Sequence, residues 1–340
     1  MKATGVHTAF MDHVELLREK NDIEVVVNNE GTGDIIHGHT YGLYYIRKGL
    51  KYKGRRVFTV HVIPDSIKGS LPMWQLFMPF VRFGLKIVYS YADVCIAISP
   101  MVEKAIIESG AKTRIVRIYN PVHLDTWKRT KENREKGRRL LGLTDNEFVV
   151  IGVGQLIRRK GVDDFLDIAE SIPEAKFVWV GGRPFGGLTE GIQRIGDRFR
   201  NAGENVINTG NIDLENMPEM YAAADLMLFP SYQENCPLAP IEAAACGMPV
   251  IFRDIEEYKS LYENPYLTAS STEEFTMLTR RMIHDNDFYN KGISISEQLL
   301  KQFDKDIIRR KLINVYDSLL NNWESSNFNI ALPEVDLKYR

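Results

Sequence analysis

The chain has 340 residues, more than a single hydrophobic core usually serves, so two domains are expected. With 44% hydrophobic and 26% charged residues it is excluded from the disordered and low-complexity classes. Three cysteines, Cys95, Cys236 and Cys246, exclude a disulfide framework and point to a reducing, cytoplasmic compartment. The net charge of -2 hides an asymmetry: residues 1–140 carry 23 Lys and Arg against 14 Asp and Glu, the remainder 20 against 31. A basic first half suits an anionic partner, membrane lipid or nucleic acid, unless these are only solvated surface charges. No apolar run reaches the length needed to span a bilayer, and residues 1–10 lack the pattern of a signal peptide.

In chain order, strands and helices alternate. Residues 10–17 and 101–107 have helical spacing, and 23–27, 34–37, 56–61, 93–98 and 114–118 read as short Val- and Ile-rich strands. That pattern argues a parallel sheet covered by helices on both faces. Thr4-Gly5-Val6-His7 looks like the turn after a first strand. Too little precedes it to make one, so the first strand is expected to be missing or the sheet to begin differently. Asn120-Pro121 closes this series, and the charged stretch 128–139 reads as a linker. A second series follows, with strands at 147–152, 176–181, 205–209, 225–229 and 249–252 and helices at 161–171, 217–224 and 240–246. Two doubly wound domains result: 1–125, a linker 126–143, and 144–298. Ser271 before Glu274 and Ser294 before Glu297 have capping-box spacing, so helices are expected to start at both serines. The second carries a long apolar stripe over 299–320 that must pack on protein. Residues 326–340 read as a tail.

The strongest chemical signal is Ser231-Tyr232-Gln233-Glu234-Asn235-Cys236-Pro237-Leu238-Ala239-Pro240-Ile241-Glu242. It follows an apolar strand, and its second acid opens a helix. Two carboxylates eight residues apart can accept hydrogen bonds from a polyhydroxylated ligand, while amides at the strand-to-helix junction favour phosphate. A second signal is Gly152-Val153-Gly154-Gln155-Leu156-Ile157-Arg158-Arg159-Lys160-Gly161. Its glycines permit a tight turn and its cations can reach phosphate. Val180-Gly181-Gly182-Arg183 and Thr209-Gly210-Asn211 end two more strands at the edge where such sheets take ligands.

With Leu228-Phe229-Pro230-Ser231 before it and Ala244-Ala245-Cys246-Gly247-Met248-Pro249-Val250 after it, the acid motif resembles that of the retaining glycosyltransferases of family 4. The resemblance implies the GT-B fold: two Rossmann-like parallel-sheet domains facing a cleft, with a C-terminal helix (299–325) crossing back to the first. It implies that Glu234 holds the transferred sugar, Glu242 the donor ribose, and Asn235, Cys236, Pro237 and Leu238 the sugar or its phosphate. Arg159 and Lys160 match a basic pair on the diphosphate. Gln155 stands where many members carry arginine and can hydrogen-bond phosphate without neutralising it. Gly5, Gly154, Gly182, Arg183 and Gly210 are further donor-site candidates. His61, at a strand end, matches a histidine that faces the sugar. No general base stands out, as expected where the leaving diphosphate takes the acceptor proton. No cofactor or structural metal is implied; a zinc site of His37, His39 and His61 lacks a fourth ligand.

The acceptor is read from the first half. Ser66-Ile67-Lys68-Gly69-Ser70-Leu71-Pro72 resembles the branch that glucosylates diacylglycerol or its monoglucoside from UDP-glucose at the inner face of the cell membrane. Trp74 and Phe77 in an aromatic segment, the cluster Lys51, Lys53 and Arg55, and His39 are the acceptor and membrane candidates; a buried helix and a solvated linker are the plain alternatives. A soluble or polyprenyl-linked saccharide acceptor, or a nucleotide-sugar hydrolase or epimerase, would keep the donor site. A nucleic-acid-binding protein would leave the acid pair unexplained and lacks any recognition motif.

Overall fold

The computed structural model describes residues 5–20, 22–27, 33–39, 43–50, 52–67, 74–182, 192–263 and 265–321. The question of a strand before Gly5, the candidates Lys51 and Arg183, and the tail fall outside these residues.

The first unit begins with α1 (Gly5–Arg18). Gly5 is therefore the first residue of a helix rather than part of a loop. Four parallel strands follow, β1 (Ile35–Gly38), β2 (Arg55–Val60), β3 (Val94–Ala97) and β4 (Arg114–Arg117), in the order β1-β2-β3-β4. Residues 23–27 pair with no strand among the described residues; Ile23 and Val25 pack against the core. The connecting helices are α2 (Leu43–Gly49), α3 (Trp74–Tyr91) and α4 (Pro100–Glu108). Ser99 caps α4 by accepting the Val102 N–H at 3.2 Å, the arrangement expected of serine before a first-turn proline.

The stretch read as a solvated linker is helical. α5 (Lys131–Leu141) is capped by Thr130 and ended by Gly142 in the left-handed conformation. It packs on α8 (Met217–Ala223). Arg129, Arg134 and Arg138 converge on Asp225 at 3.0, 2.8 and 2.8 Å and also donate to carbonyls at the end of α8. Three of the basic residues of 128–139 are thus spent inside the protein.

The second unit has six parallel strands: β5 (Val149–Val153), β6 (Lys176–Val180), β7 (Val206–Gly210), β8 (Leu226–Phe229), β9 (Val250–Arg253) and β10 (Leu267–Ala269). Their order is β10-β9-β8-β5-β6-β7. Helices α6 (Val162–Ser171), α7 (Ile192–Arg200), α9 (Ala239–Ala245), α10 (Glu256–Leu261), α11 (Thr272–His284) and α12 (Asn286–Leu300) lie between and after them. The Ser271 cap of α11 is present. The Ser294 start is not: α12 begins after Asp285, whose carboxylate accepts the Phe288 N–H, and Ser294 lies mid-helix with its hydroxyl on the Asn290 carbonyl. A side chain able to cap can also satisfy itself one turn back, so spacing alone does not separate the two.

After a short turn, α13 (Lys305–Leu320) returns to the first unit. Tyr316 bonds His37, Arg55 Nε donates to the Leu319 carbonyl and Arg114 to the Ser318 hydroxyl. At its start, Lys305 and Arg309 pair with Glu19 of the first unit. One apolar cluster runs from Val57 and Ile96 through Tyr119 and Trp127 to Phe229, Phe303 and Leu312. It joins both units and α13 into one core.

Candidate active site

The strand order of the second sheet reverses between β5 and β8. Loops leaving these neighbouring strands open a crevice, the place where a parallel sheet of this kind takes a ligand. The two loops meet at Gly161. Its φ is +71°, and a Cβ there would stand 2.3 Å from the Pro230 carbonyl oxygen, so only glycine allows the approach.

That approach presses Arg159 and Lys160 against the acid motif. Lys160 Nζ donates to the Glu234 carboxylate. The Ser231 hydroxyl donates to the same oxygen at 2.6 Å, and Arg159 Nη1 stands 3.6 Å from the other. Burial would raise the Glu234 pKa, but Lys160 and Arg159 outweigh it and hold the carboxyl below its ordinary value. Glu234 is therefore the resident counterion of the two cations. Arg159 Nε is buried with no hydrogen-bond partner among the described residues.

The loop is pinned from beneath. Arg253 Nε donates to the Pro230 carbonyl at 2.8 Å, and its guanidinium stacks 3.9 Å above the Tyr232 ring. Asp164 accepts from Tyr232 and Thr272, each at 3.0 Å, and lies 3.2 Å from Arg253.

Glu242 sits in the first turn of α9 and accepts from the Tyr221 hydroxyl at 2.7 Å. Burial raises its pKa to about 7 against that hydrogen bond. Asp12, on α1, is raised to about 8 by burial and then by the charge of Glu242. An acid of the first unit thus faces the second acid of the motif. The motif's two carboxyls consequently differ: one is ionised, the other is poised near neutrality.

Three glycine turns line the edge of the sheet. Gly154 donates to the Val180 carbonyl, Leu156 to Gly182 and Gly181 to Gly210, at 2.9–3.0 Å. Gln155 is exposed beside them. Pro237 and Leu238 are buried before α9, and Cys236 has a thiol pushed up to about 12 by burial, which leaves it un-ionised.

The opposite wall is the end of β2. Asn235 Nδ2 donates to the His61 carbonyl at 3.0 Å and to the Ser66 hydroxyl at 2.8 Å, so the acid motif touches the first unit directly. His39 Nδ1 and His61 Nε2 are 3.1 Å apart. His37 is hydrogen-bonded to Tyr316 at 2.6 Å and Thr59 at 2.7 Å, and His13 to the Ala9 carbonyl at 2.7 Å. Burial lowers the pKa of all four, to about 4 for His13 and about 3 for His61. His37 has both nitrogens engaged, and His39 and His61 spend nitrogens on each other. Among the described residues no group of three or more His, Cys, Asp or Glu side chains is placed to hold a metal ion.

On α3, Phe77 is exposed, together with Leu76, Phe80, Phe83 and Ile87. Trp74 is the first residue of that helix. Lys53 is exposed, and Arg55 is exposed with its Nε on the crossing helix. Sequence reasoning missed Asp12, Tyr221 and Arg253. Asp12 comes from the other unit, while Tyr221 and Arg253 stand on the elements that flank the acid motif, outside its contiguous signal. Tyr316 lay in an apolar stripe and read as core only.

Two Rossmann-like sheets, a ligand crevice at the strand-order reversal and a returning C-terminal helix define a GT-B glycosyltransferase. The glycosyl transferases group 1 family matches residues 133–297, and glycosyltransferase family 4 matches residues 26–126. The alpha-galactosylglucosyldiacylglycerol synthase of Streptococcus pneumoniae is 34% identical over 79% of this chain and 74% of its own. The processive diacylglycerol alpha-glucosyltransferase of Acholeplasma laidlawii is 29% identical over 84% and 86%. The Anabaena protein HepE, solved with UDP-glucose, has the same fold, with a TM-score of 0.70 at 20% identity over 84% of this chain and 79% of its own. The chain belongs to the family 4, group 1 glycosyltransferases and is a retaining hexosyltransferase that uses a nucleotide-sugar donor.

Proposed function

We propose that the chain transfers a hexose from a UDP-sugar, UDP-glucose in the first instance, to diacylglycerol or a diacylglycerol glycolipid at a membrane surface. The observation that carries the acceptor is the outward face of α3. Leu76, Phe80, Phe83 and Ile87 recur at helical spacing and are exposed, Phe80 by 76% and Phe83 by 67%, while Met78, Leu85, Val88 and Tyr89 bury the other face. A helix apolar on both faces suits a second apolar neighbour, and Arg82 and Lys86, exposed at its flank, suit anionic headgroups. The helix packs on the turn Pro64–Ile67 that follows His61, so a surface held there lies next to the cleft. Two relatives whose names include diacylglycerol products or acceptors support the same reading. No helix among the described residues is long and apolar enough to cross a membrane; the attachment proposed is the peripheral one that the face of α3 would make.

In this reading Arg159 and Lys160 stabilise the charge that grows on the departing diphosphate, which lowers the barrier to transfer. The diphosphate competes with Glu234 for these cations, and the carboxylate then accepts hydrogen bonds from the sugar. Glu242 accepts from the ribose. His61 borders the hexose. The leaving phosphate takes the acceptor proton on the face it vacates. Direct contact between Asn235 and the end of β2 closes the cleft against water, a competing acceptor.

The test is transfer of radiolabelled hexose from UDP-glucose, and separately from UDP-galactose, to diacylglycerol, glucosyldiacylglycerol, soluble oligosaccharides and water. A labelled glycolipid is expected. Labelled oligosaccharide or free hexose as the main product would overturn the acceptor.

A further inference from the structure

Four histidines gather behind the cleft, and two of them, His13 and His37, find their hydrogen-bond partners outside the cluster. His13 Nδ1 must donate, because its partner is the Ala9 carbonyl; its Nε2 is then a lone pair, buried with no partner among the described residues. His37 is held between the Tyr316 and Thr59 hydroxyls. The remaining two share a single bond, His39 Nδ1 to His61 Nε2. Their rings lie 5.4 Å apart at 25°. Both are kept uncharged by burial, so one proton occupies that bond.

The consequence falls on His61. Its Nε2 is used, so Nδ1 is the nitrogen left to address a ligand. If His39 donates, Nδ1 of His61 carries the proton and is a donor; if His61 donates, Nδ1 is an acceptor. The backbone of the same residue is held from the other side, by Asn235 of the acid motif on its carbonyl. Ring and backbone of His61 are thus fixed from two different units.

We propose that His39 is a positioning residue: of the two directions open to the shared bond it imposes one, His39 Nδ1–H donating to His61 Nε2, which keeps the His61 proton on Nδ1 and directs that N–H to the hexose being transferred. This rests on the glycosyltransferase reading above, and it moves His39 from the acceptor side to the donor side of the cleft.

Three variants of the full chain test it. His39→Phe keeps a ring against Phe10 but removes the nitrogen. His39→Asn restores a polar group near the position of Nδ1. Tyr316→Phe disturbs the cluster without touching His61. Side-chain nitrogen and carbon NMR shifts report the His61 tautomer without substrate, and steady-state kinetics separate kcat from donor KM. A single His61 tautomer is expected in the wild type and in Tyr316→Phe, and a mixture in His39→Phe. With it, kcat should fall about tenfold, the scale of one lost hydrogen bond, while KM changes far less; His39→Asn should recover most of kcat. An unchanged tautomer or unchanged kcat in His39→Phe overturns the proposal. So does a tautomer mixture in the wild type, a result that does not depend on any variant folding. Absence of transfer by the wild type would instead overturn the functional reading, and the substrate-free spectra would still decide whether His39 locks His61.

Discussion

Glu234 and Glu242 are the same side chain eight positions apart, yet their surroundings divide them. Glu234 is held ionised by Lys160 and Arg159, whereas burial raises Glu242 to about 7. Pairs of acids pushed apart in this way take different tasks. Glu234→Gln should lower kcat roughly 10- to 100-fold, the cost of about 1.5–3 kcal/mol for a charge-assisted hydrogen bond. It should not weaken UDP binding, because it frees the two cations. Glu242→Gln should chiefly raise donor KM, by about tenfold on the same scale. Kinetics with varied UDP-hexose and calorimetric titration with UDP check both; wild-type turnover in Glu234→Gln would refute its role. The acid pair and the Arg159-Lys160 pair were legible because each lies in one contiguous loop whose spacing survives folding. That Glu234 neutralises the cations was not, because the contact arises from the Gly161–Pro230 approach, which joins two loops about 70 residues apart in sequence.

At the scale of elements, most strands of the buried sheets were legible from their Val- and Ile-rich runs, which fit β-pairing on two covered faces. Residues 23–27 carry the same composition but pair with no strand among the described residues, since composition does not record whether a partner edge is within reach. Charge was the less reliable guide. The basic stretch 128–139 read as a solvated linker or a lipid attractor, yet Arg129, Arg134 and Arg138 all bind Asp225. Asp225→Asn strands three guanidiniums, one of them 2% exposed at its side chain, and should cost at least ~3 kcal/mol, read as a lower midpoint in urea. An unchanged midpoint would mean that the cluster contributes nothing. The outward face of α3 makes the opposite prediction. Phe80→Asp with Phe83→Asp should leave the midpoint almost unmoved but reduce sedimentation with anionic vesicles at least tenfold, since each buried aromatic contributes about 1.5–3 kcal/mol. Arg82→Ala with Lys86→Ala should remove only the salt-sensitive part, screened over roughly 10 Å at 0.1 M salt. Wild-type protein that stays in the supernatant at low salt would remove the membrane from the proposal.

The whole molecule is closed by α13, and that closure sets its response to pH. Tyr316 seals the histidine cluster, and α1 brings Asp12 toward Glu242, so six titratable groups, four of them buried and Asp12 and His37 partly buried, gather where the two units and the crossing helix meet. The histidines have folded pKa values below the unfolded one, near 4 for His13 and 3 for His61, with His37 and His39 also depressed. Below about 6.5 the unfolded chain binds protons that the folded protein refuses, so the histidines make stability rise with pH up to that point and add nothing beyond it. Asp12 and Glu242 act with the other sign. Their folded values, about 8 and about 7, lie above the unfolded 3.8 and 4.5, so the folded protein keeps protons that the unfolded chain has released, and stability falls as pH rises toward 8. Each proton changes the slope by ~1.4 kcal/mol per pH unit. Four histidines outweigh two acids between pH 4.5 and 6.5; the acids act alone from 6.5 to 8. Stability should therefore peak near pH 6.5 and decline on both sides. Thermal melts from pH 5 to 8.5 read the curve directly. Asp12→Asn should flatten the alkaline limb and leave the acid limb in place, whereas His13→Phe should do the reverse. A midpoint that climbs steadily through pH 8 in the wild type, or an alkaline limb untouched by Asp12→Asn, would show that the α1 acid is not held protonated against Glu242.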